Sequence, residues 1–323
     1  MTMQELAKLA GVSVSTISKA FSGSREISET LRNRIFELAK ENDCYYKYLK
    51  MSKYKYVIGV VCPEFQSGYY TQHLDYLERE IKKRGGIMLA AGSNFDRNEH
   101  SEIVSYFAGK LKADGIILYH TSDIDIKYDI PVMSLGTSDI SDSVELSYEQ
   151  ARTDAINHLA DNGHRKIAYI GEQLTKECIS EFFGAMKKAG IEIKNDYVIT
   201  TNDSRFEAAG FEAMNRLLNL PDPPTAVIAA YDYIAFGAIK AITERGLKVP
   251  EDISIIGRDD VKECDYMPLP LTTITPYSQD LCEIVVTELF NRIEKKTSGK
   301  PKKIKVSAEL VKRGTVSKTP QNS

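Results

Sequence analysis

The sequence predicts an α/β protein in which an N-terminal three-helix head, carrying a helix-turn-helix, precedes a two-lobed core of doubly wound parallel sheets. Three observations carry that expectation. Residues 3–21, MQELAKLAGVSVSTISKAF, read as two short helices broken at a glycine. From residue 56 onward, apolar runs alternate with amphipathic segments in two successive series. Charge is segregated: residues 1–56 hold ten Lys+Arg against six Asp+Glu, a balance of +4, and the remainder holds 32 against 39, a balance of −7, which together give the chain its −3.

In the head, Thr2 and Glu5 form a T-x-x-E capping box for a first helix whose Leu6, Ala7 and Ala10 share a face. Gly11 supplies the break, because glycine takes the left-handed conformation that ends a helix without a Cβ clash. Ser13 then caps a second helix, residues 14–21, whose Ile17 and Phe21 lie on a buried face with Val12. Its opposite face carries Ser15, Thr16, Ser18 and Lys19, which suits a helix lying in the DNA major groove. An ordinary helical hairpin with a polar outer face fits the same pattern. After FSGSREI, Ser28 caps a third helix to about Lys40, with Leu31, Ile35, Leu38 and Ala39 at helical spacing. Residues 43–56, DCYYKYLKMSKYKY, interleave tyrosine and lysine and sustain neither a helical nor a strand period. Two readings stand for this seam: its lysines contact phosphates, or it is a solvated linker.

In the core, YVIGVVC (56–62), GIMLAAG (86–92), DGIILYH (114–120) and PVMSL (131–135) read as buried parallel strands, with amphipathic segments around 70–84 and 98–111. A second series follows: KIAYIG (166–171), YVITT (197–201), TAVIAA (225–230) and DISIIG (252–257), with helices near 149–162, 176–189, 206–219 and 232–246. Such βαβ alternation implies right-handed crossovers, and two series imply two lobes with a ligand cleft at the carboxyl ends of the strands.

Other function classes fit less well. Hydrophobic content of 42% and charged content of 27% are those of a soluble globular chain. Five separated cysteines without CxxC indicate neither a disulfide framework nor a zinc site. A start without a signal peptide and the lack of a long apolar run lead to the expectation of a cytoplasmic protein without a membrane partner. G-x-G-x-x-G, the P-loop and G-x-S-x-G do not occur, so the expectation is no enzyme and no cofactor. His73, His100, His120, His158 and His164 lack metal-ligand spacing and read as structural, with no metal site. A transporter's solute-binding protein would share the two lobes, but the basic head argues against it.

Several stretches go beyond pattern. AKLAGVSVSTISKAFSG and SETLRNRIFELAKE in the head resemble the lactose, galactose and purine repressor family (LacI/GalR type). So do DGIIL, GHRKIAYIG (163–171), LPDPPTAVIAAYDYIAFGAIKAI (220–242), GLKVPEDISIIGRDD (246–260) and PLTTI (270–274) in the body. The resemblance covers nearly the whole chain in order. It implies a homodimeric transcriptional regulator, a repressor, with a core like a periplasmic sugar-binding protein. The implied partners are an operator in double-stranded DNA and a small effector, a sugar or an anionic derivative such as a sugar phosphate. Lobe closure on the effector would change the spacing of two heads on a pseudo-palindromic operator. The implied boundaries are 1–42 for the head, 43–56 for the hinge, 57–147 with 277–299 for the first lobe, 148–276 with 300–316 for the second, and 317–323 for a tail without heptads. The dimer interface is expected on the helices at 70–84 and 232–246.

Carried over by residue, the resemblance implies that Val14, Ser15 and Lys19 read base edges and that Thr16 and Ser18 contact the backbone, although either hydroxyl could instead serve local capping. Lys19 stands where the family usually has arginine and cannot form the bidentate fork. In the hinge, the family's minor-groove leucine falls on Lys53 when aligned directly, and on Leu49 or Met51 only in a shifted register. In the cleft, Asp259 matches the family's ligand-binding aspartate, and its neighbour Arg258 replaces an aromatic residue. Tyr69 and Tyr70 match aromatics at the cleft's mouth, or pack their own helix. Tyr231 replaces the asparagine of an Asn-Asp pair whose aspartate, Asp232, is read as a helix cap. The family's ligand arginine aligns with Cys178, and a family aromatic aligns with Arg205. Two readings of these departures remain open. Arg205 and Arg258 bind an anionic effector together, or no small ligand binds and either both face solvent or Arg258 pairs with Asp259 or Asp260.

Overall fold

The structure, a computed structural model, describes residues 1–24, 26–119, 129–296 and 299–319, with the backbone alone for residues 50–53. His120 and the side chains of Met51 and Lys53 therefore lie outside the described residues.

The head begins with α1 (Met3–Ala10). The Thr2 hydroxyl accepts from the Glu5 N–H at 3.2 Å and the Glu5 carboxylate accepts from the Thr2 N–H at 2.7 Å. Gly11, at φ 70°, ends it. In α2 (Val14–Phe21) the Ser13 Oγ accepts from the Thr16 N–H, and in α3 (Glu29–Glu41) the Ser28 Oγ accepts from the Leu31 N–H. Leu6, Ala7, Ala10, Ile17, Ala20, Phe21, Ile35 and Ala39 form their common core, with Val12, Leu31 and Leu38 partly buried against it.

The hinge differs from its sequence reading. Residues Tyr45–Lys53 form a helix, α4, which packs against α2 and α3 and makes the head a four-helix unit. Cys44 and Tyr48, one turn apart, are buried in the head core, and the Tyr48 hydroxyl donates to the Met1 carbonyl at 2.7 Å. Tyr45 and Tyr48 complete an aromatic cluster with Phe21 and Phe36, the ring centroids lying 5.0–6.0 Å apart. Burying these rings supplies the free energy for a helix that residue propensity alone does not announce.

The core contains two six-stranded sheets. The first, in the order β11-β5-β4-β3-β1-β2, contains β1 (Tyr56–Cys62), β2 (Gly86–Gly92), β3 (Gly115–Tyr119), β4 (Val132–Leu135), β5 (Asp142–Ser147) and β11 (Lys303–Ser307). β1 runs parallel to β2 and β3, in register Tyr56 with Gly86 and Ile58 with Gly115. α5 (Gly68–Lys83) follows β1, and α6 (Arg97–Ser105) follows β2 and runs into a π-helical turn at Tyr106–Lys110.

The second sheet, in the order β12-β10-β9-β8-β6-β7, contains β6 (Ile167–Glu172), β7 (Val198–Thr201), β8 (Ala226–Ala229), β9 (Ser254–Arg258), β10 (Thr273–Thr275) and β12 (Glu309–Val311). All its pairings are parallel except β10 with β12. Its helices are α7 (Glu149–Asp161), α8 (Glu177–Lys188), α9 (Phe206–Leu218), α10 (Asp232–Glu244) and the short α11 (Glu263–Tyr266), and α12 (Ser278–Ile293) follows β10. Tyr169, Ile170, Val227, Ile255, Met214 and Ile242 belong to one apolar core between sheet and helices.

The chain divides into two compact units, Met1–Glu64 with Leu74–Met133 and Val286–Lys300, and Phe65–His73 with Ser134–Val285 and Pro301–Ser323. The stretch 300–316, assigned to one lobe from sequence, supplies a strand to each sheet: β11 to the first and β12 to the second. Ser317 and Thr319, placed in the tail, are held by the second unit: the Ser317 carbonyl lies 2.9 Å from the His164 ring and the Thr319 N–H donates to Asn162. No helix among the described residues is long and apolar enough to cross a membrane.

Candidate DNA-reading helix and ligand site

On α2, Ile17, Ala20 and Phe21 are buried, which fixes the opposite face outward. That face carries Val14, 41% exposed although apolar, with Ser15 and Ser18 exposed beside it. The Thr16 hydroxyl lies 2.8 Å from the Ser13 hydroxyl, so it serves the N-cap locally. The Lys19 ammonium is paired with the Glu26 carboxylate, and this bond lowers the Glu26 pKa. Sequence reasoning misses Glu26, because seven positions of separation across a loop leave no periodic signal for it. On α4, Leu49 is 37% exposed.

In the second unit, four of the six expected ligand residues, Arg205, Tyr231, Arg258 and Asp259, fall into two clusters at the carboxyl ends of parallel strands. The first joins β6, β7 and β8. Arg205, just before α9, donates through Nε to the buried Glu172 carboxylate at 3.2 Å, with its guanidinium 4.5 Å from the Phe206 ring centroid. The Phe206 N–H donates to the Tyr231 hydroxyl at 3.2 Å, and burial together with the nearby Glu172 charge raises the Tyr231 pKa. Phe206 itself sits at φ 54°, a left-handed conformation that a bulky residue adopts only when its surroundings impose it. Sequence reasoning misses Glu172 too, although a carboxylate ending the buried run KIAYIG is an available signal.

The second cluster gathers at β9. Arg258 Nε donates to Asp259 Oδ1 at 3.3 Å, and its Nη1 lies 3.2 Å from Cys178 Sγ. Two guanidinium groups flank the Tyr148 ring, Arg258 at 5.2 Å and Arg152 at 5.0 Å from its centroid. Arg152 is paired in turn with Glu181 at 2.6 Å. Burial raises the Asp259 pKa, and the Arg258 charge pulls it back. A cavity of about 30 Å³, lined by Arg152, Tyr169, Cys178, Phe182, Arg258 and Ile274 among others, lies beside this cluster. The guanidinium of Arg258 thus reaches Cys178, at two positions where the resemblance leads one to expect an aromatic residue and an arginine.

Asp259 and Asp260 adopt φ 100° and 52°, and Asp260 is held by Arg313 at 2.8 Å. Tyr69 and Tyr70 open α5. Tyr69 stacks 4.2 Å from His73 on the next turn, while Tyr70 is nearly buried. The His73 ring lies 2.9 Å from the Ser278 hydroxyl, and burial lowers its pKa to about 3. Asp232 does not cap α10. It is wholly buried, and its two carboxyl oxygens accept from the Val261 N–H at 2.9 Å and the Thr273 hydroxyl at 2.5 Å.

Comparison with known proteins accounts for both ends of the chain. Residues 2–45 match the family described as bacterial regulatory proteins, lacI family, and residues 156–316 match a periplasmic binding protein-like domain. The HTH-type transcriptional repressor PurR of Mannheimia succiniciproducens is 30% identical over 98% of this chain and 99% of its own. The ribose operon repressor of Escherichia coli K12 is 28% identical over 97% and 99%. The lac repressor dimer bound to operator and an anti-inducer shares the fold, with a TM-score of 0.75 at 22% identity over 98% of this chain and 99% of that one. With a helix-turn-helix head, two mostly parallel sheets and 30% identity sustained along nearly its full length, the chain belongs to the LacI family of bacterial regulatory proteins.

Proposed function

We propose that this protein is a homodimeric repressor whose α2 reads an operator and whose affinity for DNA is set by an uncharged, hydroxyl-rich small molecule held at the second-sheet strand ends. Val14, Ser15 and Lys19 are the base-reading residues, and Ser18 contacts the backbone. Arg205, Tyr231, Arg258 and Asp259 belong to the ligand site. Tyr69 and Tyr70 are its flanking aromatics.

One observation carries the choice of ligand: each guanidinium at these strand ends already has a carboxylate. Arg205 pairs with Glu172, Arg258 with Asp259 and Arg152 with Glu181. At Arg205 and Arg258 an anionic effector would have to displace a largely buried carboxylate or lie beside it, and either is costly in a low-dielectric site. Hydroxyl groups can bond to both members of a charged pair without separating them. The name of the ribose operon repressor, a relative along its full length, points to the same ligand class. Control of DNA binding then needs only unequal affinity of the ligand for the DNA-competent and DNA-incompetent forms.

The test is a single titration. A duplex selected by the full-length protein from a randomised pool is followed by fluorescence anisotropy as neutral sugars and their phosphates are added. A change in DNA affinity with a neutral sugar, lost in Arg258→Ala, supports the reading. A response confined to sugar phosphates would refute it.

A further inference from the structure

The pair between Lys19 and Glu26 is exposed, with side chains 44% and 69% accessible. Such pairs contribute little to stability, yet this one is built with care. Ser24, in the loop after α2, donates its N–H to the Lys19 carbonyl at 3.1 Å and accepts the Glu26 N–H on its Oγ at 3.3 Å. The Ser22 hydroxyl donates to the same Lys19 carbonyl at 3.2 Å, and Arg32 from α3 donates to the Ser24 carbonyl at 2.6 Å. The backbone on both sides of the pair is thus tied, and the carboxylate is held against the one cation on the outward face of α2.

We infer that Glu26 is a positioning residue for base recognition: it takes one N–H of the Lys19 ammonium and directs the remaining two at O6 and N7 of a single guanine. The inference rests on α2 as the reading helix. An ammonium has three rotatable donors and no fixed fork, which is why lysine specifies guanine less sharply than arginine does. Anchoring one donor removes most of that freedom. The lysine–glutamate pair then presents two N–H groups of fixed direction from one nitrogen, in place of the parallel pair that a guanidinium has by covalent structure. Glu26 also adds a negative charge close to phosphates, so it lowers affinity for every sequence while it raises discrimination at one.

The two effects separate in a selection from a pool of duplexes with twenty randomised base pairs, followed by affinity measurement on the selected duplex and its single-base variants. Wild type is expected to prefer guanine at one position of each half-site, and Glu26→Ala to lose roughly tenfold of that preference while binding all duplexes somewhat more tightly. Glu26→Gln keeps an acceptor and should retain most of the preference. In a Lys19→Arg background, where the fork is intrinsic, Glu26→Ala should leave the preference intact. A uniform gain in affinity for Glu26→Ala with an unchanged base profile would overturn the inference and make Glu26 a simple charge brake. Loss of preference persisting in the Lys19→Arg background would overturn it as well. An unchanged base profile in Lys19→Ala would remove Lys19 as a base reader, and the inference with it, while an unchanged profile in Val14→Ala and Ser15→Ala as well would remove α2 as the reading helix.

Discussion

Asp232 illustrates how much of the chemistry of this chain is decided by single buried groups. Burial, with the Asp259 charge adding to it, raises the Asp232 pKa to about 8, so the carboxyl group is mostly protonated at neutral pH. An acid whose folded pKa lies above its unfolded value binds more protons when folded. Its contribution to stability is complete below the unfolded value near 3.8 and declines until pH reaches about 8. His73 acts in the opposite direction. Its folded pKa of about 3 lies below the ordinary histidine value of 6.5, so stability rises with pH between those values. The two slopes oppose each other in mild acid, and above pH 6.5 the Asp232 slope remains. Between pH 6.5 and 8, wild type should lose on the order of 1–2 kcal/mol of stability, with a slope near one proton's worth at pH 6.5 that falls to about half of it at pH 8. Asp232→Asn, whose amide can still bond to Val261 and Thr273, should show little of that loss. Urea unfolding at the two pH values measures it, and equal slopes for both proteins would contradict a protonated Asp232. From sequence the residue reads as a helix cap, a common role for aspartate after a strand. Its actual partners, Val261 and Thr273, lie 29 and 41 positions away, where local pattern has no reach.

At the scale of elements, legibility follows apolar composition more closely than burial. β1, buried almost throughout, and β2, a largely half-buried edge strand, are both legible to the residue because both are unbroken apolar runs. β11 escapes a sequence reading because it alternates exposed and half-buried positions, as a sheet-edge strand does. α4 escapes it for a different reason: among its described side chains, those packed in the head core are Tyr45 and Tyr48, and a hydrophobic period registers tyrosine weakly although its ring buries a large area. The packing of α9 on α10 is equally hidden. A Cβ built on Gly237 would stand 1.9 Å from the Glu207 carbonyl oxygen, and one on Gly210 would stand 1.9 Å from that of Ile234. The two helices thus meet backbone to backbone at a pair of glycines. Alanine is the better helix former by about 1 kcal/mol, so in an exposed helix Gly237→Ala would stabilise. Here the helices must separate, and we expect a net loss of about 1–3 kcal/mol, the usual cost of overpacking. A midpoint shift in urea unfolding measures it, and an unchanged or higher midpoint would mean that the helices part freely.

For the molecule as a whole, alternation of strand and helix is enough to read two parallel sheets, because a parallel crossover admits few topologies. It does not reveal pairs made between distant strands. The Arg258–Asp259 pair is one of the alternatives that adjacent residues suggest, whereas Arg205 is bonded to Glu172, 33 positions away, which no local pattern announces. The segregation of charge is legible from the start and has a measurable consequence. Residues 1–56, at +4, joined to a remainder of −7 make this end of the chain the favourable one for approach to phosphate. Binding should therefore release cations from the DNA in proportion to the phosphates that the head neutralises, with log K falling by about 0.9 per contact for each unit of log salt. If two heads of a dimer engage together, a pseudo-palindromic duplex should show about twice the slope of a single half-site of the same length, since each head neutralises its own phosphates. Anisotropy titrations between roughly 50 and 200 mM salt would give both slopes. Equal slopes would mean that one head binds at a time, and slopes near zero would mean that the basic head does not reach the backbone at all.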